Sequence, residues 1–576
     1  MASFASSLSP IPSFPEYTGP FKVGTVDVEI PVSELVSPSP APDGATDIPT
    51  VLFRIFYPAV PESRGKRVSW LPAPQRLHIA AYAQFLGAGS TLASILSFLP
   101  RHLHWTSIPA YKNATLLPPP PDRPRSRWPT MVFSHGLGGN RNAYSHLAGS
   151  MASYGVVVIC PEHRDGSAAL TVVRDPKSQN HKSTRHVVPY VRIPHDQNHE
   201  TWEARNKQIR IRLWELGLIF DAVSALDRGD SRTIASNLNH STPKTALAQF
   251  ANALDILEPG RVLFSGHSFG AVTIVQLLKS TFYASTPSLS AMANPLFTPA
   301  PSSALARQIT AHNPTILLDM WCFPLHSAST AALYNLPLPC YSSPSAPGGA
   351  ALLAVESAAF FKWTEHLHAK ARILSPDPAS LTGRGNQGVV TGSLFEHGGT
   401  GDGSGAASWE KPRFFYVASS AHLNQSDFGV LFPWLTRRVF KSDRPERVLR
   451  LNARAQLQFL RENGVVVEGT ARGDLVEGGG DAVDDGKGRE EWVEEDGVIL
   501  EGERGKGKVE AWVWIDVVGL GAKAGPTELE MQKGEESRKE EAEEGEKEMQ
   551  GRLSRRWRAW RRGLPRGLRG KWSGID

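Results

Sequence analysis

From Thr130 onward, short apolar runs alternate with stretches at helical spacing, and that alternation constrains the fold more than any other feature. A chain that runs along a strand, crosses by a helix and re-enters in the same direction builds a mostly parallel central sheet with helices on both faces. Met131 to Ser134, Val156 to Cys160, Val262 to Ser265, Thr315 to Leu318 and Phe414 to Val417 are the predicted strands. Ile209, Leu213, Leu216, Phe220 and Val223 fall on one helical face and predict a crossover helix over about 202–227, and Val272, Val275 and Leu278 predict another directly after residue 268. Upstream, Val23 to Ile30 and Val51 to Tyr57 cluster β-branched and aromatic residues and predict a strand pair that opens the domain. Pro445 to Glu462 predicts a closing helix.

These elements set the boundaries. Residues 1–18 read as a flexible N-terminal arm and 19–465 as one α/β domain. A stretch near 373–411, rich in Gly, Ser and Thr, reads as a mobile insertion. Residues 466–576 read as a low-complexity tail, Gly/Glu-rich and then Arg/Trp-rich, largely disordered, in which Val509 to Leu520 is an apolar island that either pairs as a strand or stays disordered. Residues 527–550 hold ten Glu against four Lys or Arg, and 551–576 hold nine Lys or Arg against one Asp, so these blocks read as solvated. The alternative is that Arg555, Arg556, Trp557, Arg558, Trp560, Arg561 and Arg562 form a basic aromatic helix on anionic membrane or against the acidic run.

The 62 basic and 57 acidic residues nearly cancel, so no nucleic-acid partner is expected. Cys160, Cys322 and Cys340 are too few for a disulfide framework and show no metal-ligand spacing, and neither a metal nor a cofactor is expected. The first residues lack the basic start and apolar stretch of a signal peptide, and residue 2 is Ala. The expected location is therefore cytoplasmic, without classical secretion or N-myristoylation. Residues 79–100 carry no charge, yet Gln84, three Ser, a Thr and two Gly dilute them, so a partly buried helix pair or an interfacial helix is expected rather than a membrane span.

Chemistry enters at Gly266, His267, Ser268, Phe269 and Gly270. The pattern G-x-S-x-G alone is a weak signal, but here it follows an apolar strand and precedes a helix, which is the setting of a nucleophile elbow in an α/β-hydrolase fold. Small residues are needed on both sides because the strand turns abruptly into the helix. Such a turn exposes the Ser268 oxygen at the carboxyl end of the sheet and aims the Phe269 amide into the same space. A second oxyanion donor is expected from the loop His135 to Gly139, and the Leu137 amide is assigned to it. His135 lies on the wrong side of the serine in chain order, since this fold runs Ser, then acid, then His. Of the downstream histidines, only His422 directly follows a strand pattern through a short turn, whereas His397 falls in the Gly-rich insertion. Asp319, at the end of a strand, is the expected acid. Asp427 is the runner-up, its place in the next helix favouring a helix-start role.

At these residues the chain resembles the platelet-activating factor acetylhydrolase family, the calcium-independent type-VII phospholipases A2. The resemblance is carried by VFSHGLGG at 132–139, EHRDGSA at 162–168, GHSFGA at 266–271, LLDMWCFPL at 317–325 and SSAHLNQSDF at 419–428, with GPFKVGTVDVEIP at 19–31. It implies Ser268, Asp319 and His422 as the triad and Leu137 and Phe269 as oxyanion donors. It also implies metal-independent hydrolysis of the sn-2 acetyl, short or oxidised acyl ester of phospholipids. Glu162, His163 and Arg164 would be structural, with Arg164 or Asp165 near the site mouth and a buried ion-pair role favoured. A helix ahead of the HGLG loop would touch the lipid phase, matched here by Leu92, Ile95, Leu96, Phe98, Leu99 and Trp105, for which core packing is the alternative. Other readings are a general carboxylesterase or lipase without phospholipid preference, or an inactive membrane-associated scaffold.

Overall fold

Two antiparallel strands open the chain, β1 (Lys22–Pro31) and β2 (Thr50–Ala59), with Lys22 opposite Ala59 and Pro31 opposite Thr50. The computed structural model describes residues 13–516 apart from 88, 91–100, 122–125, 178–184, 287–288, 290–291, 293, 379–409, 441, 443, 476–491, 494 and 504–505. The chain divides into two units, Met1–Ala522 and Lys523–Asp576, and the second lies outside the described residues.

After β2 come β3 (Arg67–Ser69), α1 (Gln75–Phe85), β4 (Ser107–Lys112), β5 (Trp128–Ser134), α2 (Ser145–Ser153), β6 (Val157–Pro161) and the long α3 (His199–Asp227). They are followed by β7 (Leu263–His267), α4 (Phe269–Phe282), β8 (Thr315–Leu318), β9 (Leu352–Ser357), α5 (Ala358–Lys362) and α6 (Thr364–Ile373). The domain finishes with β10 (Arg413–Val417), α7 (Asp427–Leu431), α8 (Pro445–Glu462) and β11 (Trp512–Trp514). The sheet runs β11-β10-β9-β8-β7-β5-β6-β2-β1-β4-β3. Its six central strands, β6, β5, β7, β8, β9 and β10, are parallel, and β2 and β11 flank them antiparallel. This is the mostly parallel α/β-hydrolase arrangement.

Alternation along each strand builds two apolar layers. Val132, Phe264, Leu317, Ala354 and Phe414 face one core with Ile209, Leu213, Leu216 and Phe220 of α3 and Val272 and Val275 of α4. Met131, Phe133, Leu263, Ile316, Leu353 and Phe415 face the other, with Ala148 and Met151 of α2 and Leu451 and Phe459 of α8. Both faces being covered explains why the strands read as continuous apolar runs. In the uncharged 79–100 stretch, α1 reaches Phe85, and Leu92, Ile95, Leu96, Phe98 and Leu99 lie outside the described residues. Among the described residues no helix is long and apolar enough to cross a membrane.

The structure corrects one boundary. The domain does not end at 465, because parts of the expected tail pack onto it. β11 pairs with β10, Trp512 is buried and stacked 5.0 Å from Phe415, and Arg454 on α8 binds Asp496 through two hydrogen bonds of 2.9 Å. Composition alone obscured this, because Gly and Glu dominate the segment while a few buried residues, Ile499, Leu500, Val509, Trp512 and Ile515, anchor it. The Arg/Trp block and most of the 373–411 insertion lie outside the described residues.

Candidate active site

The carboxyl ends of β5, β7, β8 and β10 deliver four segments to one edge of the sheet, where ligands of open α/β sheets bind. The sharpest is the turn from β7 into α4. Ser268 sits there at φ 55°, ψ −120°, a strained conformation for a residue with a side chain. A Cβ on Gly266 would lie 2.6 Å from the Gly270 carbonyl carbon, and one on Gly270 would lie 2.0 Å from the Ser134 carbonyl oxygen. Neither position admits a side chain, so both glycines are required by close backbone approach. The turn is tied down by the Ser268 amide, which donates to the Leu318 carbonyl at 2.9 Å.

Asp319, at the end of β8, is fully buried and also has a positive φ of 41°. Its Oδ1 accepts the Ser357 amide at 2.5 Å, and its Oδ2 is 3.0 Å from His422 Nδ1. Burial raises the pKa of this carboxyl, but the hydrogen bond and charge of His422, helped by Lys370, outweigh burial and hold it down at about 2. With Nδ1 committed to Asp319, the imidazole is left with Nε2 for proton transfer. Its ring lies between two others, 4.3 Å from Phe360 with planes at 3° and 4.4 Å from His267 with planes at 32°. His267 directly precedes Ser268, so one cluster joins the serine turn, the His422 ring and the Asp319 carboxylate.

The loop after β5 faces the elbow, since a Cβ on Gly136 would lie 3.0 Å from Ser268 Cβ. The Gly136 amide donates to Tyr144 Oη at 3.1 Å, and Tyr144 Oη in turn donates to His267 Nδ1 at 2.7 Å. Burial, then the charge of His422, push the His267 pKa well down, so its ring is neutral and free to accept on Nδ1. The Leu137 and Phe269 amides have no hydrogen-bond partner among the described residues. His135 is used internally, its Nδ1 donating to the Gly136 carbonyl at 2.8 Å and its Nε2 accepting the His163 amide at 3.1 Å. Arg212 supports the loop from below, donating to the His135 carbonyl and to Asp165, both at 2.8 Å.

Glu162, His163 and Arg164 are buried. Glu162 binds Arg141, His163 binds Ser134 and Glu215, and Arg164 binds Glu29 and Thr50. Asp427, the alternative acid, opens α7 and accepts the amides of Ser145 and His146 at 2.9 Å, so it caps the start of α2 and is not joined to His422. His397 lies outside the described residues.

His267, Asp319 and His422 offer ligand atoms within 4.8 Å of one another, the one such group of three among the described residues; His267 Nδ1, His422 Nδ1 and both Asp319 oxygens hold hydrogen bonds to Tyr144, Ser357 and one another.

The sequence matches the model of platelet-activating factor acetylhydrolase, isoform II, over residues 7–341, more than half of the chain. The chain belongs to that family. It is 28% identical over 471 residues to a putative phospholipase A2 of Schizosaccharomyces pombe, covering 78% of this chain and 92% of that protein. It is 28% identical over 266 residues to the platelet-activating factor acetylhydrolase of Cavia porcellus and 27% over 225 residues to that of Bos taurus. The two mammalian matches span about half of those proteins, 52% and 46%, and cover 46% and 39% of this chain. Among solved structures it is similar to a ferulic acid esterase from Streptomyces cinnamoneus, with a TM-score of 0.39, 13% identity and coverage of 78% of this chain and 92% of that one.

The chain is a carboxylic ester hydrolase. The family match contains Leu137, Ser268, Phe269 and Asp319 and ends before His422, whose place in the site rests on its contact with Asp319. Reading along the sequence did not single out Tyr144, Phe360, Glu356 or Lys370. The run Leu352 to Val355 before Glu356 carried a strand signal that would have found β9, whereas Phe360 and Tyr144 are revealed only by what they touch.

Proposed function

We propose that this family member hydrolyses the sn-2 acetyl, short or oxidised acyl ester of phospholipids through Ser268, His422 and Asp319. His422 Nε2 takes the Ser268 hydroxyl proton as Oγ attacks the ester carbonyl carbon, and the negative oxygen of the tetrahedral intermediate accepts hydrogen bonds from the Leu137 and Phe269 amides. The intermediate collapses by breaking the bond to the glycerol oxygen, which leaves with the proton from His422. Water, losing a proton to His422, then attacks the acyl-serine, and the carboxylic acid departs as the proton returns to Ser268.

The observation that carries this reading is the 3.0 Å contact of His422 Nδ1 with the buried Asp319, formed beside a strained serine turn. Such a contact fixes the tautomer that leaves Nε2 as a base. Access of substrate from a lipid surface is part of the proposal. It is supported by Leu86 and Trp105, which are 60% and 62% exposed, with Leu86 at the end of α1, whose Phe85 ring lies where a Cβ on Gly138 would fall.

The test is acetate release from an sn-2 acetyl phosphatidylcholine by the full chain in chelator, beside Ser268→Ala and a long-chain phospholipid. Release that is lost in Ser268→Ala and weak on long chains supports the proposal. Equal release from a simple acetyl ester with no headgroup dependence would make it a general carboxylesterase, and release unchanged in Ser268→Ala would remove the serine from the mechanism.

A further inference from the structure

Beside the Asp319–His422 pair lies a second pair of ionisable groups, Glu356 on β9 and Lys370 on α6, 1% and 0% exposed. Lys370 Nζ donates to Glu356 Oε2. The same Nζ lies 5.0 Å from the centre of the Phe360 ring, and that ring stacks on His422. The Glu356 carboxyl also acts on that of Asp319, as a like charge and as a hydrogen-bond partner that favours a proton on Glu356. The next residue, Ser357, donates its amide to Asp319 Oδ1, so the backbone brings this strand end directly to the acid.

Two buried carboxyls in contact do not both ionise, and Lys370 can only donate. Asp319 is the one held charged by His422, so a proton placed on Glu356 satisfies every partner. We propose that Glu356 and Lys370 are positioning residues for the Asp319–His422 pair: protonated Glu356 donates a hydrogen bond to the Asp319 carboxylate while accepting one from Lys370. Lys370 thereby steadies the acid through Glu356 and the imidazole through Phe360. The inference rests on the reading that this pair serves Ser268.

Among the described residues the titratable groups around Glu356 are Lys370 on α6, Asp319 at the end of β8 and Cys322 in the segment after it, with His366 on α6 acting on Lys370 and Asp319. Burial, with the charge of Asp319, pushes the Glu356 pKa up to about 8 against the pull of Lys370. Above that pH the hydrogen bond becomes a like-charge contact beside the acid, and the rate should fall.

The experiment measures kcat and KM against pH for the full chain, Glu356→Gln and Glu356→Met on the sn-2 acetyl phospholipid. Glutamine keeps an acceptor for Lys370 and a donor for Asp319 but cannot ionise, so Glu356→Gln should retain most of the neutral-pH kcat and lose the alkaline fall near pH 8. Methionine keeps the length and removes both hydrogen bonds, so kcat should drop roughly 10- to 100-fold at unchanged KM, by analogy with the loss of hydrogen-bond partners that orient metal-bound histidines. Retention of the alkaline fall in Glu356→Gln would overturn the proposal. So would a kcat in Glu356→Gln as low as in Glu356→Met, or a wild-type kcat in Glu356→Met.

The far-downfield proton resonance of His422 Nδ1–H reports the same contact without turnover. It should be unmoved in Glu356→Gln and shifted or lost in a folded Glu356→Met, and an unmoved signal in the latter overturns the proposal. If Ser268→Ala stays active, the functional reading fails on its own and this resonance still decides the role of Glu356. Should Glu356→Met fail to fold, Glu356→Gln decides alone.

Discussion

Replacing Trp512 by Ala tests whether the segment after residue 465 is part of the domain. The side chain is 1% exposed, stacks on Phe415 at 5.0 Å, and sits on the strand that pairs with β10, with Trp512 opposite Val417. Its indole N–H has no hydrogen-bond partner among the described residues, so the loss is chiefly of apolar contact. An aromatic side chain buries about 150–250 Å², which at about 25 cal/mol/Å² gives roughly 4–6 kcal/mol. This is an upper bound, because the unfolded chain already hides part of that area. Core Trp→Ala changes cost about 3–5 kcal/mol, so about 4 kcal/mol is expected. That is a large share of the roughly 5–15 kcal/mol that holds a domain folded. Urea unfolding followed by far-UV circular dichroism should show the midpoint falling at constant slope, and kcat should fall with it at temperatures where β10 loosens, since β10 leads to His422. Trp492→Ala, at a residue 38% exposed, is the control and should shift the midpoint little. A loss below about 1 kcal/mol for Trp512→Ala, no more than an ordinary point mutation, would refute the packing argument.

Asp319→Asn should lower kcat by about 10⁴-fold with little change in KM, because the amide favours the wrong imidazole tautomer. A pH–rate profile beside the wild type checks it. Gly270→Ala should yield little folded protein, since its Cβ would fall 2.0 Å from the Ser134 carbonyl oxygen, and soluble yield with melting temperature reads the outcome. Burial raises Asp427 from its ordinary value to about 6, against the hydrogen bonds of Ser145, His146 and Trp70. The folded state therefore binds this proton more tightly than the unfolded state, and the contribution is present below about pH 4 and lost as pH rises through about 6. Wild type should lose about 3 kcal/mol relative to Asp427→Asn across that window, at about 1.4 kcal/mol per pH unit, as read by urea midpoints at each pH.

The sequence resolved the elements whose local pattern and burial agree. β7 and α4 announce themselves because a buried parallel strand is an apolar run, the following helix repeats at 3.6 residues, and the turn between them tolerates only glycine at 266 and 270. β5, β6, β8 and β10 were legible for the first of these reasons, and α3 and α8 for the second. β11 was not, because three residues in a Gly/Glu-rich segment carry no period, and what fixes them is the Phe415 surface laid down about a hundred residues earlier.

The same distinction runs through the site. Ser268, Asp319 and His422 each stand at the end of a strand, so their places follow from topology once the strands are found. Tyr144 and Phe360 stand on no motif, and only the closed sheet brings one to His267 and the other to His422. Glu356 and Lys370 show most clearly why such residues escape a linear reading. A buried charge in a sequence looks like a polar residue on a solvated face until its partner is placed against it, and here the partner is fourteen residues away on another element. A strand–helix pattern can say where a catalytic residue emerges, but what holds that residue still is settled by long-range contact.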